Sequence, residues 1–175
     1  MVADGGLPRS RCTLLVGTAG AGKTVLATHL LAAGIREFGQ PGVLVTFEET
    51  PESVLQNVAS FGWGLDEHVA AGQLALVDVS PEPGHDLVEV GEFDLQGLLA
   101  RIQAAITETG AQRVVLDSVT ALLPQFDDER RVRREMTRII HALNGMGVTS
   151  VLTAERDLYQ AKGLSLIMSI GTPLT

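Results

Sequence analysis

Residues 17–24 read Gly-Thr-Ala-Gly-Ala-Gly-Lys-Thr, and no other stretch of this 175-residue chain limits its fold so tightly. The octet fits G-x-x-x-x-G-K-[ST], a pattern that works only between a strand and a helix. Both flanks are present. Cys12 to Val16 is a short apolar run, and from Lys23 the residues Ala27, Leu30, Leu31, Gly34, Ile35 and Phe38 recur at helical spacing. Glycines let the backbone wrap so that successive N–H groups point inward, and a helix starting at Lys23 adds free donors and partial positive charge. A loop of that kind cradles phosphates. Gly17, Thr18, Ala19, Gly20, Ala21 and Gly22, with Val25 in the first helical turn, are the predicted nucleotide contacts. Lys23 is expected to reach the β- and γ-phosphates, and the Thr24 hydroxyl to ligate Mg2+.

The rest of the chain predicts an α/β fold, a mostly parallel sheet with helices on both faces. Apolar runs at 43–47, 73–79, 114–116 and 148–153 alternate with helical periods. Gly39-Gln40-Pro41-Gly42 stops the first helix. Thr50 reads as an N-cap with Pro51 at the first helical position, although Ser53 stands where Glu or Gln would complete a capping box. That helix is expected to fade at Gly62 and Gly64, and residues 80–91 to form a surface loop. Asp94 opens a helix with Leu95, Leu98, Leu99, Ile102, Ala105 and Ile106 on one face. A longer helix runs from about Asp128 to Met146. Its acidic start, Asp127 to Glu129, suits the positive end of the helix dipole. Residues 164–170 carry the pattern of one further edge strand.

Composition narrows the partners. At 45% hydrophobic the chain is not disordered, and no apolar run reaches the ~18 residues needed to span a bilayer. The single cysteine, Cys12, cannot form an internal disulfide, so a reducing cytoplasm is the expected compartment. A net charge of −8 argues against nucleic acid as a partner. Arg130, Arg131, Arg133, Arg134 and Arg138 do crowd one helix, for which a solvated polar face is the commoner explanation.

Acidic residues at strand ends are the other candidates. Asp117 closes the run Val114-Val115-Leu116, where a carboxylate beside a phosphate loop can hold Mg2+ through its water shell. Glu48 and Glu49 follow the run that ends at Phe47, and either could orient or deprotonate an attacking water. Alternation along a strand means only one need face the nucleotide. The residues alone do not choose between them, or between that role and a solvated acidic pair.

With those residues placed, the chain resembles the KaiC family of RecA-like ATPases, particularly the first of its two tandem domains. The likeness rests on Phe47-Glu48-Glu49-Thr50-Pro51, Ser60-Phe61-Gly62-Trp63, Gly91 to Leu95, Asp117-Ser118-Val119-Thr120, Val132 to Glu135 and Glu155-Arg156. The resemblance implies a RecA-like P-loop NTPase that binds ATP and Mg2+ between subunits of a homohexameric ring, with clock or signalling proteins as partners. It also implies that Glu48 and Glu49 form a catalytic pair, that Ser60 touches the nucleotide, and that Asp117 is the acid of the second nucleotide motif. The core is expected over residues 1–156. Residues 157–175 depart from the family's continuation, including the Lys and Arg that reach a neighbour's ATP site. An arginine supplied in trans is worth ~10³–10⁵ in related hydrolases, so slow hydrolysis is expected. A non-catalytic, nucleotide-gated interaction module and a RadA/RecA-type DNA-repair ATPase are the alternatives.

Overall fold

The computed structural model describes residues 7–79, 95–125 and 128–156. Five strands, β1 (Cys12–Gly17), β2 (Gly42–Thr46), β3 (Leu74–Asp78), β4 (Arg113–Asp117) and β5 (Thr149–Glu155), form one sheet in the order β1-β5-β4-β2-β3. Every pairing is parallel. Around it pack α1 (Lys23–Phe38), α2 (Pro51–Val58), α3 (Leu65–Ala70), α4 (Leu95–Thr109) and α5 (Glu129–Gly145).

Alternate side chains of the central strands feed two cores. Val43, Val45, Phe47, Val114, Leu116 and Leu152 pack with Leu98 and Ile102 of α4 and with Met136 and Ile139 of α5. Leu44, Val115 and Val151 point the other way, onto Leu31 and Ile35 of α1 and Val54 and Val58 of α2. All five residues of β2 are buried, as a strand covered on both faces requires. Burying an apolar side chain of this size is worth about 1.5–3 kcal/mol. The parallel sheet with helices on both faces is thus as the sequence predicts.

Local signals place the helix ends. Thr50 caps α2, its hydroxyl accepting from the Ser53 N–H at 3.3 Å, with Pro51 next in the chain. Asp128 caps α5, accepting from the Arg131 N–H at 2.7 Å. Two elements differ from expectation. Past α2 the chain makes a 3-10 turn (Ala59–Phe61) and then forms α3, where the sequence predicts only a fading helix. Leu65, 4% exposed, anchors that short helix on the second core. Residues Val119–Gln125 form a further 3-10 segment that buries Leu122 and Leu123 in the first core. The features expected at 80–91, Asp94, Asp127 and 164–170 lie outside the described residues. No described helix is long and apolar enough to cross a membrane.

A clasp closes the sheet at the N-terminal ends of its strands. Arg113 donates to the Leu30 carbonyl and to Gln40 Oε1, both at 2.8 Å, and its guanidinium lies 5.2 Å over the Phe38 ring. Gly34 leaves room for this. A Cβ there would come within 2.5 Å of the Arg113 side chain.

Candidate nucleotide site

Because the strands are parallel, the loop after β1, the pair after β2, the acid of β4 and the end of β5 gather at one edge of the sheet. Gly20 and Gly22 hold left-handed backbone angles, φ 74° and 78°, which residues with a Cβ adopt only under strain. No side chain caps the N-terminus of α1, and the Leu26 N–H bonds back to the Gly22 carbonyl at 2.9 Å. Lys23 folds back over this loop, its ammonium donating to the carbonyls of Gly17 at 3.2 Å and Thr18 at 2.9 Å.

The two glutamates part company. Glu49 Oε2 accepts from Ser53 Oγ and from Asn57 Nδ2, both at 3.0 Å, so its carboxylate is committed to α2. Ser53, the residue that spoils the capping box, thus serves as an anchor for Glu49. Glu48 reaches solvent but lies among charges. Partial burial pushes its carboxyl above the usual range, and the nearby Asp117, Glu155 and Glu49 push the same way, against the pull of Lys23.

Asp117 is 9% exposed. Its carbonyl accepts from the Phe47 N–H at 3.1 Å, and its Oδ1 accepts from the hydroxyl of Thr153, a fully buried residue of β5. Beside it, Thr120 Oγ1 accepts from the Glu155 N–H at 2.8 Å, tying the exit of β4 to the end of β5. The sequence alone assigns no site role to Thr153, Thr120 or Glu155. For Thr153 and Glu155 the sequence offers only a polar ending, Thr153-Ala154-Glu155, after the apolar pair Val151-Leu152.

Ser60 sits exposed on the 3-10 turn, next to Phe61, which stacks on Trp63 at 4.8 Å. A cavity of about 760 Å3 opens near it, lined by Arg36, Leu55, Trp63 and His68, and shares no residue with the phosphate loop. Cys12 lies half-buried in β1, where burial pushes its thiol up, away from reactivity. On α5, the buried Glu135 pairs with Arg134 at 3.2 Å and Arg138 at 2.7 Å, so the arginine-rich helix partly neutralises itself.

A five-stranded parallel sheet of this order, flanked by helices and headed by this loop, defines a RecA-like P-loop NTPase fold. The chain belongs to the KaiC ATPase family, whose model matches residues 1–166. The circadian clock oscillator protein KaiC of Parasynechococcus marenigrum (strain WH8102) is 50% identical over 156 residues, 89% of this chain and 30% of that protein. The protein of the same name from Prochlorococcus marinus (strain MIT 9313) is 49% identical over 156 residues, 89% of this chain and 31% of its own length. That of Rippkaea orientalis is 50% identical over 155 residues, again 89% of this chain and 30% of that protein. The chain therefore spans under a third of the length of these curated relatives.

Proposed function

We propose that this chain binds ATP with Mg2+ and slowly hydrolyses its γ-phosphate. The observation that carries the reading is the shared sheet edge: Lys23 hangs over its loop within electrostatic reach of Glu48, and Glu48 in turn feels Asp117. Phosphates would rest on the backbone N–H groups of residues 17–25. Lys23 would exchange the carbonyls of Gly17 and Thr18 for phosphate oxygens, which bind an ammonium more strongly. The donor set suits Mg2+. The Thr24 hydroxyl and the Asp117 carboxylate are hard oxygen ligands. Among the described residues no three His, Cys, Asp or Glu side chains converge into a metal site of their own. A cation that keeps its waters and is shared with phosphates fits so sparse a set. When bound, Mg2+ supplies positive charge against the charge developing on the phosphoryl oxygens.

Glu48 is the base in this reading. Glu49 is committed to Ser53 and Asn57, whereas Glu48 is free to turn toward the loop, and its raised pKa makes it the better proton acceptor. Ser60 is a further nucleotide contact in this reading, on the strength of the family resemblance. A homohexameric ring with ATP between subunits, a role in a circadian-clock or signalling assembly, and a cytoplasmic setting complete the proposal; the relatives' names support the clock role.

Phosphate release tests it. Glu48→Gln should slow turnover by about 10²–10⁴-fold while ATP still binds, with a smaller effect for Glu49→Gln. A larger loss in Glu49→Gln would reverse the assignment, and no loss in either would remove the carboxylate base altogether. Light scattering with and without ATP and Mg2+ should give a mass of six chains with nucleotide; a persistent monomer would exclude the ring.

A further inference from the structure

β5 stands between the strand that carries the phosphate loop and the strand that carries Asp117. The register sets Leu15 opposite Thr153 and Gly17 opposite Glu155 on one side of β5, and Leu116 opposite Leu152 on the other. The end of β5 therefore fills the space between loop and acid. Thr153, fully buried, spends its hydroxyl on Asp117 Oδ1. This bond holds the Asp117 carboxylate in a single side-chain rotamer. With Oδ1 occupied, Oδ2 is the oxygen left for a cation's water shell.

The setting gives that bond work to do. Glu48 and Glu155 lie close enough for their negative charge to be felt across the site. Like charges push a mobile carboxylate away. Asp117 is anchored against this at two points, its carbonyl on the Phe47 N–H and its carboxylate on Thr153. The neighbouring bond from the Glu155 N–H to Thr120 Oγ1 fixes the separation of the two strand ends.

We infer that Thr153 is a positioning residue: its hydroxyl holds Asp117 in the orientation that receives Mg2+, so the affinity of the site for Mg2+ depends on β5. The inference rests on the nucleotide reading above. Residues that orient a metal ligand in this way typically carry 10–100-fold in metal affinity, and a similar effect is expected here.

The test is calorimetric titration of ATP into the full chain at stepped Mg2+ concentrations and, separately, in EDTA. Thr153→Val keeps the shape and removes the donor. It should raise the Mg2+ needed for half of the metal-dependent gain in affinity by about 10–100-fold, and leave the affinity in EDTA unchanged. Thr153→Ser should restore the wild-type response. Thr153→Cys, a weaker donor, should fall between them, and it carries the test if the valine variant does not fold. Asp117→Asn separates the two levels of the claim. If Asp117→Asn loses the Mg2+ response and Thr153→Val keeps it, the positioning role is overturned and the metal reading stands. If Asp117→Asn also keeps it, both fall.

Discussion

The two ends of the sheet treat charge in opposite ways. At the N-terminal ends of the strands, Arg113 is paired with a carbonyl, a side-chain amide and an aromatic face, and Gly34 is shaped to admit it. At the C-terminal ends, Glu48 feels the negative charge of Asp117, Glu155 and Glu49, and Lys23 is the cation that offsets them. The first arrangement holds α1 to the sheet and is satisfied within the chain. The second gathers negative charge around Glu48, whose carboxyl is pushed up by partial burial and then by its acidic neighbours. In the proposed function the first end serves stability and the second receives the nucleotide.

Breaking the satisfied end gives the largest effect on stability. Gly34→Ala gains about 1 kcal/mol of helix propensity. It also drives Arg113 off Leu30 and Gln40, and overpacking of this kind costs about 1–3 kcal/mol. A net loss is expected in the wild-type background. In an Arg113→Ala background only the propensity gain remains, so the sign should reverse in a double-mutant cycle read by denaturant unfolding. If the cost persists without Arg113, the clasp is not its cause.

Relieving the crowded end gives a smaller effect of opposite sign. The carboxyl of Glu48 is pushed up on folding, so the folded protein holds this proton more tightly than the unfolded chain does. Stability from this group is therefore present at low pH and falls as pH rises from the ordinary carboxylate range through the raised one. Glu48→Gln should abolish that slope and modestly raise the melting temperature at neutral pH, while slowing turnover. In the proposed reaction, catalysis by Glu48 would run the other way, since a base works only above its raised pKa. A Glu48→Gln protein that melts lower at neutral pH than the wild type would contradict the crowding.

Much of the molecule was legible because its causes are local. The phosphate loop, the Thr50–Pro51 helix start and the acidic cap of α5 depend on residues within a turn of one another, and the structure has each of these elements where the sequence predicts it. The apolar runs gave the strands, but not their order. Nothing in the run 148–153 says that β5 inserts beside β4, so the bond from Thr153 to Asp117 was invisible. The choice between Glu48 and Glu49 was open for a similar reason. It turns on Ser53 and Asn57 one helical turn apart on α2, both reaching the same carboxylate oxygen, which needs α2 in place before it can be seen. α3 was missed because Gly62 and Gly64 read as an end, and the burial of Leu65 is a tertiary fact.

The most direct test of the crowded end as a nucleotide site is the ATP affinity of the wild-type chain, with Mg2+ present, against that of Lys23→Ala. Lys23 is expected to pair with phosphate oxygens through charge-assisted bonds worth about 1.5–3 kcal/mol each. Its loss should weaken binding by about a hundredfold, with the far-UV spectrum unchanged. Equal affinities, or a folded wild-type chain that takes up no ATP, would show that this edge of the sheet is not where the nucleotide binds.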